Sequence, residues 1–222
     1  MNRHWQHNLS FNQVFGGTKA IFAITVLGAL LTFVFDVSLA RLLTPEDFGD
    51  FSIAMSLAFF WTVVALLGGD QSLRKFLPLY LHQDPSREQG LLRFYFTSTV
   101  FIGIGVAILG TVLAYFDVQV FTETGFNQYH PLLLALWLLP LICVIQLTTV
   151  VLQISQHNIS AMLPFRIVMP AFLLLVLWAG YLLGIQHSAW LVLIYFAAAI
   201  LLVMIVQLNL MKRLANITIH RV

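Results

Sequence analysis

Ala40-Arg41-Leu42-Leu43-Thr44-Pro45-Glu46-Asp47-Phe48-Gly49-Asp50-Phe51-Ser52 lies between two long apolar runs and sets the register of the chain around it. Thr44 has the hydroxyl of a helix N-cap, free to accept from an orphan backbone N–H. Pro45 falls at the first helical position, where a missing N–H costs nothing. Asp47, three residues after Thr44, stands where the reciprocal partner of a capping box would stand. Glu46 and Asp47 also sit at the positive end of the helix dipole. One helix therefore ends near Leu43, the chain turns, and the next helix begins at Pro45.

The runs on either side place that turn in a membrane. Hydrophobic residues make up 60% of the 222 and charged residues only 9%, with a mean hydropathy of +0.91. A soluble domain carries roughly 25% charge. A chain this apolar cannot cover itself with polar surface in water, so an all-α integral membrane bundle is expected. The pI near 8.9 does not point to nucleic acid, because the basic residues are scattered over loops. The single cysteine, Cys143, lies in an apolar run and excludes an intrachain disulfide. The first apolar segment is too long for the core of a cleaved signal peptide.

Taken in order, residues 1–16 read as an N-terminal interfacial tail, 17–211 as a lobe of about six transmembrane helices, and 212–222 as a basic cytoplasmic tail. The spans are expected near 18–43, 45–67, 91–116, 130–154, 162–183 and 189–211, each close to the ~20 residues that cross the hydrocarbon. Pro140 marks a kink in the fourth, and Pro164 and Pro170 stand near the start of the fifth. Between spans two and three, Leu73, Phe76, Leu77 and Tyr80 share one side of a short amphipathic helix suited to the membrane interface. Segment 117–129 reads as an external loop.

Basic residues fix the expected orientation. With the N-terminus inside, Arg3, Lys19, Arg74, Lys75, Arg87, Arg93, Arg166, Lys212, Arg213 and Arg221 fall on the cytoplasmic side and only Arg41 falls outside. That asymmetry predicts an N-in/C-in topology by the positive-inside rule.

The turn also carries a family likeness. "LARLLTPEDFGDFSIA" (39–54) resembles the junction of helices one and two in the polysaccharide transport family. These are flippases for lipid-linked oligosaccharides, within the multidrug/oligosaccharidyl-lipid/polysaccharide exporter superfamily, and members carry A-R-x-L-x-P-E-x-[FY]-G-x-[FY] at this point. "LLGGDQSLRKFLP" (66–78) is similar to the family's Gly-rich end of helix two followed by a basic residue. The likeness is clear from about Thr18 to Leu81. Gly68-Gly69-Asp70 departs from the family's commoner Gly, apolar, Gly order. Such transporters usually have twelve or fourteen helices, and this chain has room for about half.

The resemblance implies the N-terminal lobe of a flippase, needing a second transporter lobe or a homodimer to enclose a path. It implies a multi-pass protein of the bacterial inner membrane acting in polysaccharide biosynthesis and export, including lipopolysaccharide, with the lipid bilayer and a lipid-linked oligosaccharide as partners. The alternative is a truncated or non-transporting membrane protein serving as partner or scaffold for glycan assembly. No enzyme activity, cofactor or nucleic acid is implied.

Polar residues inside the spans are the candidate site. Thr25, Gly28, Thr32 and Asp36 recur at helical spacing on span one. A carboxylate in a bilayer costs at least ~2.5 kcal/mol, so Asp36 is expected either to line a cavity or to pair with Arg41 near the interface. On span four, Gln146, Thr149, Gln153 and Gln156 form a second stripe, serving either a hydrophilic cavity or helix-to-helix hydrogen bonds. Asp36, Thr32, Gln146, Thr149 and Gln153 are then candidate cavity-lining residues facing one aqueous space. Arg41, Arg74 and Arg166 are candidate phosphate contacts, with topogenic and snorkelling roles as the alternatives for Arg74 and Arg166. The seven histidines show no metal spacing on a helix, so no metal is assigned.

Topology is tested by a reporter fused after Val222. Activity only in the cytoplasm is expected, and activity only in the periplasm would reverse the assignment.

Overall fold

Residues 11–80, 85–120 and 130–214 are described by the computed structural model, and every regular element among them is helical. The segments 81–84, 121–129 and 215–222, and most of the tail read over 1–16, lie outside the described residues. The elements are α1 (Phe11–Leu42), α2 (Pro45–Leu66), α3 (Gly69–Tyr80), α4 (Pro85–Val120), α5 (His130–Ile154), α6 (Asn158–Leu163), a π turn (Pro164–Val168), α7 (Met169–Leu182) and α8 (Ala189–Leu214). Six stretches are long and apolar enough to cross a membrane, with α2 and α3 counted in one and α6, the π turn and α7 in another.

The Thr44 turn forms as its residues require. Thr44 takes an extended backbone (φ −66°, ψ 156°), and its Oγ1 accepts from the Asp47 N–H at 3.2 Å. The Thr44 hydroxyl in turn donates to Asp47 Oδ2 at 2.8 Å. The other oxygen of Asp47 does something no local reading shows. Oδ1 accepts from the backbone N–H of Ala189 at 2.9 Å, the first residue of α8. One carboxylate therefore braces the capping hydroxyl of α2 and caps the first N–H of α8, 142 residues apart in sequence, and sets the two starts at one level.

At the far end of α2, Leu67 (φ 48°) and Gly68 (φ 69°) are both left-handed. Two such residues in succession stop the helix and redirect the chain into α3. The leucines of α3 follow the sequence pattern, with Leu73 and Leu77 fully buried. Phe76 does not, being 37% exposed on the outward side.

α5 is the hub. It packs against α2, α4 and α8 along its length, and against α3 and α6 near its end. In its most apolar stretch 61% of residues are buried, against 11% for α1. Leu139, Ile142, Ile145, Leu147 and Leu152 of α5 are among the largest fully buried side chains. α1 instead packs chiefly on α6, the π turn and α7.

Several boundaries differ from the sequence reading. α1 begins at Phe11, inside the segment read as tail, and α4 begins at Pro85 and continues to Val120. The fifth span begins at Asn158, because the helix passes through Pro164 and Pro170 by widening to a π turn. Arg166 consequently lies within the span and not at its start.

Because Asp47 caps α8, Asp47→Ala is expected to lower unfolding stability in detergent by about 1 kcal/mol, with Asp47→Asn, which keeps an acceptor oxygen, losing less. Wild-type stability in Asp47→Ala would show that the Ala189 contact contributes nothing.

Candidate functional site

The π turn has a stereochemical origin. Proline has no N–H and clashes with the carbonyl four residues back. Pro170 therefore supplies no donor for the carbonyl of Arg166, and Pro164 supplies none for that of Ser160. The helix widens between the two prolines, and the Met169 N–H reaches back five residues to the Pro164 carbonyl. The Arg166 carbonyl points at α1, where it meets Gly28. A Cβ on Gly28 would lie 2.6 Å from that oxygen and 3.2 Å from the Arg166 Cβ. Only a glycine allows this approach.

That contact fixes the depth of Arg166. Gly28 lies about 15 Å along α1 from Thr18 and about 21 Å from Leu42, the two ends of its span. Arg166 is thus about level with the middle of the α1 span and lies inside its own span, which begins at Asn158. It is exposed on the surface of the bundle, and it makes no side-chain hydrogen bond or ion pair among the described residues.

Thr32 and Asp36 lie one and two turns above Gly28 on the same side of α1, rotated from it by about 40° and 80°. Both are exposed. The Thr32 hydroxyl donates back to the Gly28 carbonyl at 3.0 Å, leaving its oxygen able to accept. Arg41 is about 140° around the helix from Asp36. It lines a separate pocket of about 170 Å³ with Val37, Ser38 and Trp178. No ion pair joins Asp36 to Arg41 among the described residues.

The α5 stripe occupies different surroundings. Thr149 Oγ1 accepts from Gln207 Nε2 of α8 at 2.9 Å, and the same nitrogen donates to the Ala161 carbonyl of α6 at 3.2 Å. Gln207 is fully buried. Gln153 Oε1 accepts from Arg74 Nη2 of α3 at 2.6 Å. Gln146 is half-buried. Two of the four stripe residues, Thr149 and Gln153, thus tie helices together, the second of the two roles the spacing permitted. Since α1 packs chiefly on α6, the π turn and α7, Asp36 and the α5 stripe belong to different helix contacts.

Gln207 was missed from sequence, although a signal existed. It and Asn209 interrupt an otherwise apolar α8, and a polar residue inside a span needs a partner.

Six membrane-length helices, one of them a buried hub, with an arginine exposed within a span, are the architecture of a polytopic α-helical membrane protein. The chain belongs to the polysaccharide biosynthesis protein family, whose profile matches residues 14–220. No curated protein and no solved structure matches it.

The close approach at Gly28 is testable against a glycine with open surroundings. Gly105 of α4 has nothing within 4 Å of an added Cβ. Gly105→Ala is expected to stabilise by roughly 0.5–1 kcal/mol from helix propensity alone. Gly28→Ala should destabilise, because its contact is rigid backbone. The same sign for both would contradict the packing described.

Proposed function

We propose that this chain is one lobe of a flippase that moves a lipid-linked oligosaccharide across a bacterial inner membrane by alternating access, with a second lobe or a second copy closing the path. Membership of the polysaccharide biosynthesis family supports the substrate class. The observation that carries the transport reading is the exposed Arg166 beside Gly28, level with the middle of the α1 span. An arginine facing hydrocarbon there costs at least ~2.5 kcal/mol, and intramembrane charges as a rule face a cavity or a bundle interior. A single lobe has no such interior on its α1–α7 side, so something else completes it.

In this reading Arg166 contacts the phosphate of the passing headgroup. Thr32 and Asp36, one and two turns above Gly28, accept from sugar hydroxyls. Asp36 does not touch phosphate, since both are anionic. Arg41 meets the headgroup at the outer end. Arg74 is held by Gln153 and acts in packing before it acts on any ligand. The lobe carries its substrate and does not transform it, and both chain ends lie in the cytoplasm.

The test is glycan export in cells carrying the full assembly. Arg166→Gln is expected to reduce export roughly tenfold or more, the worth of a hydrogen bond to a charged group, with protein level unchanged. Arg166→Lys should retain part of the activity. Wild-type export by Arg166→Gln would remove the residue from the path.

A further inference from the structure

At one end of the bundle the ends of α2, α5 and α8 meet the start of α4, and α3 closes them over. Leu73 and Leu77 of α3 are fully buried there in a cluster with Leu66, Leu152 and Met211, against which Leu91 and Leu92 pack. The outward side of α3 mixes two kinds of group. Arg74, Lys75, Phe76 and Leu79 are all exposed, Leu79 by 56%. The Lys75 ammonium stands 5.3 Å from the centre of the Phe76 ring. Arg74 is clamped to Gln153 at the last turn of α5, which fixes how α3 presents Lys75.

Neither water nor hydrocarbon suits that surface. Water would leave Phe76 and Leu79 as exposed apolar area. Hydrocarbon would hold two cations at a cost of several kcal/mol. The boundary between headgroups and acyl chains satisfies both at once. The sign of the charge then selects the headgroup. Arg93, Lys212 and Arg213 are exposed at the same end, and the acidic residues on α3 and the first turn of α4 are Asp70 and Glu88. Asp70 accepts from the neighbouring Gln71 amide at 3.1 Å.

We propose that the outward side of α3 is a binding surface for anionic phospholipid, with Lys75 on the headgroup phosphate and Phe76 and Leu79 in the upper acyl region. The bound species is a phospholipid of the surrounding leaflet, so the inference does not depend on the flippase reading.

The full chain is reconstituted in nanodiscs of phosphatidylcholine with and without phosphatidylglycerol, and retained lipid is read by native mass spectrometry. Wild type should retain phosphatidylglycerol in preference to phosphatidylcholine. Lys75→Gln should weaken that preference about fivefold, the effect of one basic residue near an anionic surface. Lys75→Arg should restore it. A fluorophore at Leu79→Cys in a Cys143→Ser background should be quenched by lipids spin-labelled in the upper acyl chain. Equal retention of both lipids, an unchanged preference in Lys75→Gln, or displacement of all bound phosphatidylglycerol by inorganic pyrophosphate would each overturn the proposal. The last would assign the surface to a pyrophosphate headgroup.

Discussion

Hydrocarbon offers no hydrogen bonds, so every backbone N–H and C=O inside it must be satisfied or shielded by protein. Most of this lobe meets that constraint by being unbroken helix. The exception is where Pro164 and Pro170 withdraw two donors from one span. The π turn re-forms part of the hydrogen bonding, and the Arg166 carbonyl is shielded by α1 at the one position where a glycine lets it approach. The same local defect brings α1 against α7 and leaves the Arg166 side chain exposed within a span. Packing and candidate site therefore share one cause.

The rest of the lobe is arranged so that this side stays open. α5 is enclosed by α2, α4 and α8, and its polar residues are used within the bundle: Thr149 against Gln207, Gln153 against Arg74. The Asp47 carboxylate holds the starts of α2 and α8 level on either side of that hub. With the interior so occupied, the polar groups left exposed within the spans include Thr32, Asp36 and Arg166 on the α1–α7 side.

The Thr44 cap was legible in the sequence because it is local. Hydroxyl, proline and carboxylate lie within four residues, and their chemistry admits one arrangement. The six spans were legible because length and apolarity decide them. The second use of Asp47 was not, since nothing near it in sequence announces an α8 beginning 142 residues later. The start of the fifth span was misplaced for a related reason. Proline ordinarily marks a helix start, and Pro164 and Pro170 stand inside this span. That the helix absorbs both is a result of packing on Gly28, which no window of sequence contains. The stripe on α5 was recognised, while its division between Gln207 and Arg74 depends on which helices surround it.

The central claim is that the α1–α7 side holds water at mid-depth. Single cysteines replace Thr32, Asp36 and Arg166 in a Cys143→Ser chain, with Phe101 of α4, which is 71% exposed, as the position facing lipid. Intact membranes are treated with a membrane-impermeant thiol reagent. The account predicts modification at 32, 36 and 166 and none at 101. Protection of all three, or equal reaction at all four, would contradict it.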